Sequence, residues 1–422
     1  AAGFGAGVFA GISVSPSAWA VWACIACVGA AAWARMRMVS AVCVACVAGG
    51  LWGSAAAARA EAGCAARWRE GQHVAVLVEP WDIGEPGSRT RVRVRVPEAC
   101  IGTLSAVWPR GVAPPRAVAV VAGTWYGAAA RGPAWWPSRP GAGGRLVVRR
   151  IRPLRLAPSP RTRLRLAAER RLVAMFGWPR FALASALTLG SSDQLEPGMR
   201  RRFAGAGLAH LLAISGLHVG ILAAALVLAL RLAAVPPARA RLIGVPLVAV
   251  YVWVLGMPPP ALRAVGLLAV WELARSRQRP PLRSAVLATT AVLVAAFDPF
   301  AIGEVGPWLS FAGAWGAAEG AKWVDSLDWT ERWRASRVRG LAQSVSVSLG
   351  ATLATAPISA LAFGTVATAA VATNLVAIPV VAALVPALAL ALVSSPIAEP
   401  VAAVAAAGAG LLLDLLERIA AT

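Results

Sequence analysis

The sequence predicts a polytopic α-helical membrane protein of about ten to eleven spans, with a small β-barrel domain inserted after its first helices. Three observations predict it. The chain is 58% hydrophobic and only 14% charged over 422 residues, the composition of a membrane protein and not of a soluble one. From residue 207 onward, apolar stretches of helical length alternate with short polar loops. Between residues 60 and 157 the pattern changes to short alternating runs separated by Gly/Pro-rich joints. The formal net charge is +22, which favours anionic partners, either lipid headgroups or nucleic acid.

Residues 1–58 are expected to be N-terminal transmembrane helices. Residues 1–14 are apolar but fall short of the roughly 20 needed to span, so they read as the tail of a truncated first span. No basic region precedes them, so a cleavable signal peptide is not expected. Pro16 and Ser17 mark a turn, and Ala18–Ala34 and Met38–Ala58 form two spans. The loop between them carries Arg35 and Arg37, which places it in the cytoplasm. The region that follows is then extracytoplasmic.

Cysteine usage points to packing before chemistry. Cys24, Cys27, Cys43 and Cys46 have a zinc-ribbon spacing, but all lie in apolar runs without a polar surround, so no metal site and no cofactor are expected. Cys64 and Cys100 lie in the hydrophilic region and are candidates for a disulfide if that region is outside the cytoplasm.

Residues 60–157 carry runs at His73–Val78, Arg89–Val96, Arg116–Val121 and Arg145–Ile151, which read as strands of a small barrel. In TRVRVRV, Arg91, Arg93 and Arg95 share one face and Val92, Val94 and Val96 the other. The arginine row is a candidate nucleic-acid contact, with Trp81, Trp108, Trp125, Trp135 or Trp136 available to stack bases. The competing reading is a solvated basic strand beside ordinary core tryptophans.

Residues 158–190 read as amphipathic or interfacial helices. Residues 161–176 have helical periodicity and a basic face suited to the membrane surface, and Phe181–Leu189 forms a second apolar helix. Residues 191–422 form the main membrane core, with spans expected at 207–230, 241–256, 261–274, 284–297, 302–322, 341–363, 368–393 and 398–420. Arg231, Arg239 and Arg241, then Arg275, Arg277, Arg279 and Arg283, then Arg332, Arg334, Arg337 and Arg339 fall in alternate loops. The loops between these groups hold no Lys or Arg, a consistent alternation between cytoplasm and exterior.

The chain is organised around AGAGLAHLLAISGLHVGIL, residues 204–222. It is apolar enough for a bilayer yet carries His210, Ser215 and His218, and polar groups in hydrocarbon need a partner or water. With Gly205, Gly207, Gly216 and Gly220, it reads as an interrupted helix whose polar groups line a protected cavity. Ser215 and His218 are three apart, but no acid is placed to orient the histidine, so nucleophilic catalysis is not expected.

ALTLGSSDQLEPGMRRRFAGAGLAHLLAISGLHVGIL (186–222) closely resembles the ComEC competence family, the inner-membrane DNA uptake channel. The blocks PPPALRA (258–264), DPFAIGEVGPWLSFAGAWG (298–316) and ATAPISALAFGTVATAAVATNLVAIPVV (354–381) agree in order, with Asn374 and Pro379 in place. The resemblance implies that the β domain is OB-like. It also implies import of single-stranded DNA across the cytoplasmic membrane during natural transformation. Many members continue into a metallo-β-lactamase-like domain. No H-x-H-x-D-H run occurs here, so no nuclease activity, and no enzyme, is expected of these residues.

On that reading, a polyanion needs water, cations near the entrances and donors along the path. Candidates for the path are His210, Ser215, Gly216, His218, Arg263, Asp298 and Asn374. Arg263 lies in an apolar span and needs a carboxylate, a phosphate or water; Asp298 and Glu304 are its possible partners. Arg91, Arg93 and Arg95 gather strand outside, and Arg200–Arg202 precede the first core helix. Helix starts at Gly205 or Gly207, and at Gly216, would aim N–H groups at phosphates. The chain has no G-x4-G-K-[ST] pattern, so energy comes from elsewhere. The implied partners are the lipid bilayer, a DNA receptor, a cytoplasmic ATPase or helicase, and a nuclease domain or protein. A homo-oligomer also fits. The alternative is a secondary transporter of a small anionic solute using the same broken helices, which has no need of an arginine-lined external domain.

Overall fold

The structure, a computed structural model, describes residues 47–55, 68–82, 87, 89–97, 102–115, 117–127, 144–178, 180–278, 283–298, 300–301, 304–327, 337–364 and 370–421. The first expected spans, the four cysteines within them, Cys64, Cys100, Trp135 and Trp136 lie outside these residues or largely so. Two compact units divide the chain: Ala1–Arg163 with Ser284–Pro307, and Leu164–Arg283 with Trp308–Thr422.

The first unit contains a closed barrel of five strands: β1 (His73–Pro80), β2 (Arg89–Val96), β3 (Gly102–Val107), β4 (Ala119–Tyr126) and β5 (Arg145–Pro153). Their order around the barrel is β1-β2-β3-β5-β4, with β4 returning to β1. The β3–β5 pair is parallel and every other pair antiparallel. Alternation does the work the sequence suggests: Val76, Val78, Val92, Val94, Val121 and Val148 turn inward onto Trp108 and Trp125. Trp108 donates its indole N–H to Thr90 Oγ1 at 2.7 Å, which satisfies the one polar atom it buries. Gly144 is required where it stands, because a Cβ there would overlap the Trp125 ring.

Two details of the barrel differ from expectation. β3, GTLSAV, has no alternating apolar run to announce it and was not among the four expected strands. Val96, expected on the core face, is 51% exposed: Leu77 faces Val96 while Val78 faces Val94, and this bulge in the β1–β2 pairing breaks the alternation.

The helices follow as α1 (Pro160–Phe176), α2 (Arg180–Leu189), α3 (Pro197–Gly205), α4 (Gly216–Leu232), α5 (Pro237–Leu255), α6 (Pro259–Ser276), α7 (Arg283–Phe297), α8 (Val305–Ser326), α9 (Arg337–Phe363), α10 (Ala370–Ser394) and α11 (Glu399–Ala421). A helix therefore stands at each of the eight apolar stretches counted from residue 207. Four of them, α5, α9, α10 and α11, are long and apolar enough to cross a membrane, and α2, α4 and α7 are shorter apolar helices. The protein is a membrane protein. Leu361 on α9 is a large apolar side chain left 90% exposed.

In the second unit, α2, α4, α10 and α11 share a core through Leu187, Val219, Leu384, Leu388 and Leu413. α8 and α9 meet by a different rule. A Cβ built on Gly316 would overlap the Gly350 carbonyl oxygen, and one on Gly320 the Ser346 carbonyl oxygen. Their backbones touch directly, as small residues permit inside a bilayer.

The basic helix α1 buries charges that its sequence suggested it would display. Arg165 and Glu169 are both fully buried. Arg165 donates to Ser191 Oγ at 2.7 Å and to the Leu255 carbonyl at 3.4 Å, while Ser191 donates to Glu169 at 3.0 Å. The network ties α1 to the end of α5 and to the turn after α2.

Candidate functional site

The stretch after α2 is built from stops. Gly190, at φ +68°, ends α2 in the left-handed region that an L side chain resists. A 3-10 turn, Ser192–Gln194, leads to α3, which opens on Pro197 and closes at Gly205. Gly207, at φ +75°, turns the chain again, and a second 3-10 turn covers Ala209–Leu211. Ser215 is extended, and α4 begins at Gly216. The membrane segment expected at 207–230 is thus interrupted, and its continuous helix begins only at Gly216. Gly205 and Gly207 end a helix where the sequence reading had them start one. The anion-attracting helix start belongs to Gly216 alone.

Ser215 and His218 define how α4 starts. The Ser215 N–H donates to His218 Nδ1 at 3.4 Å, and the Ser215 hydroxyl lies 3.1 Å from the same nitrogen. The His218 N–H in turn reaches the Ser215 side chain, which completes a capping box with histidine in the place usually held by Glu or Gln. Because Nδ1 accepts, the ring proton is assigned to Nε2. Nε2 is buried and has no hydrogen-bond partner among the described residues, in a side chain that is fully buried. An orphan buried donor costs about 1–3 kcal/mol and marks a place where an acceptor is wanted.

Other sequence-predicted residues gather around this break. Gly216 lies against Ala264, next to Arg263 on α6. Arg263 is 5% exposed and donates to Ser310 Oγ of α8 at 2.8 Å. Asn374, in the first turns of α10, donates to Ser348 Oγ of α9 at 3.4 Å, and its Oδ1 is buried without a partner among the described residues. Its neighbour Thr373 donates to the Ala206 carbonyl at 2.8 Å, so α10 is fastened directly to the break. His210 is exposed, with Nδ1 3.1 Å from the Gly207 carbonyl. Asp298 belongs to the first unit, where its N–H donates to the Val294 carbonyl at the end of α7.

Thr373, Ser310 and Ser348 were missed by sequence reasoning. Their only signal is a small hydroxyl in an apolar helix, which is too common to single them out. The basic triplet of α3 is partly committed to structure: Arg202 pairs with Glu417 at 3.0 Å, and Arg200 donates to the Ser192 carbonyl.

On the barrel, the β2 arginines do share a face, but carboxylates hold them. Arg91 binds Asp82 at 2.8 Å. Arg95 binds Glu79 at 2.8 Å, and Arg93 lies 3.5 Å from the same carboxylate. Glu79 also accepts from the Ser159 N–H at 3.1 Å and the Ser159 hydroxyl at 3.0 Å. Burial pushes the Glu79 carboxyl up, but the bonds from Ser159 and Thr162 and the Arg95 charge outweigh it, so its pKa is lowered. Trp81, Trp108 and Trp125 are buried at 2–3% exposure and are core residues, not stacking platforms.

A family model described as "Competence protein" matches residues 187–422. Three relatives are similar over shorter stretches. Uncharacterized protein YcaI of Escherichia coli (strain K12) is 29% identical over 48% of this chain and 28% of its own length. ComE operon protein 3 of Bacillus subtilis (strain 168) is 34% identical over 31% of this chain and 17% of its own length. Competence protein ComA of Neisseria gonorrhoeae is 38% identical over 31% of this chain and 20% of its own length. The matched stretches thus cover under a third of each of these relatives. No solved structure matches the chain.

Proposed function

The chain belongs to the Competence protein family, and from that premise we propose that it is a DNA translocation channel of the cytoplasmic membrane, importing single-stranded DNA during natural transformation. The observation that carries the reading is the break before Gly216. Within the family-matched region it sets an unpartnered His218 Nε2 donor, a helix start and the buried Arg263 on neighbouring elements of an otherwise apolar bundle. A buried donor without an acceptor among the described residues, a helix start and a buried cation suit an anionic strand in transit. Asn374, with its open Oδ1, offers the complementary acceptor for a base edge or water.

On this account the chain does no covalent chemistry. The driving energy, the delivery of DNA and the removal of the second strand fall to a cytoplasmic ATPase or helicase, a receptor and a nuclease domain or protein. The barrel, five strands in the order β1-β2-β3-β5-β4, is read as an OB-like domain on the outer face of the membrane. The full set of about ten to eleven spans is part of the same proposal.

The test is transformation of a competent strain that lacks its own channel and carries this chain. His218→Ala is expected to abolish transformation while the protein stays in the membrane at its normal level. Normal transformation by that variant contradicts the role given to His218.

A further inference from the structure

The barrel carries a second row of arginines that is not neutralised. Along β5, Val148 is buried, Arg149 and Arg150 are both exposed, Ile151 is half-buried and Arg152 is exposed. Strict alternation forbids two neighbours on one side. A β-bulge permits it: Ala122 pairs with Arg150 and Gly123 with Val148, which leaves Arg149 as the extra residue. Gly123 is what allows this approach, because a Cβ there would overlap the Val147 carbonyl oxygen. The bulge thus turns three cations outward within four residues.

Among the described residues none of the Arg149, Arg150 and Arg152 side chains has a hydrogen bond or an ion pair. That contrasts with Arg91, Arg93 and Arg95, each held at Asp82 or Glu79. Arg150 and Arg152 flank a shallow groove of about 440 Å³ whose floor is Val120, Ala122 and Ile151. Their i, i+2 spacing along a strand is about 6.6–6.8 Å, a linear repeat of positive charge. At the far end of the same ribbon Arg145 lies over the Tyr126 ring at 5.7 Å. No residue of β4 or β5 is an exposed large hydrophobic, so this face lacks the apolar anchors of a lipid-binding surface.

We propose that the outer face of the β4–β5 ribbon is where the barrel holds a polyanionic strand, with Arg149, Arg150 and Arg152 as phosphate contacts in place of the β2 row. The choice of a DNA strand as the polyanion rests on the translocation reading above; the location of the site does not. Phosphate contacts of this kind fix a strand without reading its sequence.

The test uses the whole chain in detergent with a fluorescent oligo-dT, and binding is followed across a salt series. The triple variant Arg149→Gln, Arg150→Gln, Arg152→Gln is expected to bind more weakly. The slope of log affinity against log salt should flatten by about 0.7 per lost contact, about 2 for all three. The corresponding Arg→Lys triple should keep the slope, which separates lost charge from lost folding. A Gln triple with the parent slope, in a protein whose unmodified form binds, overturns the β5 assignment and leaves the translocation reading standing. No salt-dependent binding by the unmodified chain defeats both. A Gln triple that binds oligo-dT normally but no longer sediments with anionic vesicles assigns the row to lipid and also overturns the proposal.

Discussion

Ser215 and His218 hold each other across the first turn of α4, with the serine N–H and hydroxyl both directed at Nδ1, at 3.4 and 3.1 Å. One imidazole thereby does two jobs. Nδ1 caps an apolar helix, and the cap fixes the ring with Nε2 buried and without a hydrogen-bond partner among the described residues.

The two jobs separate by substitution. His218→Glu retains a side-chain acceptor for the Ser215 N–H and carries no N–H donor, so α4 should keep its cap, whereas His218→Ala should lose about 0.5–2 kcal/mol of helix stability. Both should lose transformation if Nε2–H is the functional group. A thermal unfolding series in detergent beside transformation counts checks this. Full activity in the Glu variant would reduce the histidine to a cap.

Glu79 makes the barrel acid-sensitive. Its carboxylate collects Arg93, Arg95 and Ser159, and its pKa in the folded protein lies below the ordinary 4.5. A lowered folded pKa means the stabilisation is complete above the ordinary value and fades as pH falls through the folded one. Barrel stability should hold from neutral pH to about 4.5 and then decline. Glu79→Gln should lower stability at neutral pH and flatten the acid limb, as read by the fluorescence of the core tryptophans Trp108 and Trp125 against pH. The same acid limb in both proteins would mean that another group controls it.

The buried pair of α1 should be costly to break from one side. Glu169→Ala leaves Arg165 without its carboxylate in a fully buried site, with an expected loss of about 3–5 kcal/mol, while an exposed surface pair such as Arg180–Asp414 is worth about 0–1 kcal/mol. Denaturation of the two single variants, Glu169→Ala and Asp414→Ala, gives the comparison. Similar losses at both positions would contradict the buried network.

The α8–α9 contact should tolerate no side chain at its centre. Gly320→Val would push a branched side chain into the Ser346 carbonyl and force the helices apart. Gly408, with open space around it, provides the control. The expected outcome is loss of folded protein from the membrane for Gly320→Val and little change for Gly408→Ala. Normal levels of the Gly320 variant would contradict the close crossing.

What the sequence revealed follows the strength of its periodic signals. Eight apolar stretches after residue 207 each correspond to a helix, because length and hydropathy in a bilayer leave few other solutions. The interruption was legible from His210, His218 and four glycines in apolar surroundings. Its polarity was not: Gly205 and Gly207 end a helix, and glycine alone marks a break without saying which side of it is helical. The alternation of β2 correctly put three arginines on one face, but the carboxylates that hold them come from β1 and the turn after it, and such pairing is invisible along one strand. The outward arginines of β5 were hidden for a related reason, since RLVVRRIRP has no clean period until a bulge at Gly123 of the neighbouring strand is known.

The central claim is that this chain conducts DNA. Its most direct test is uptake of labelled DNA into the cytoplasm of a competent strain deleted for its own channel and supplied with residues 1–422, with and without a separate nuclease-like domain. The account predicts that label enters with the chain present, in at least one of these two conditions, and does not enter without it. A correctly inserted protein that admits no DNA under either condition would contradict the account and favour transport of a small anion.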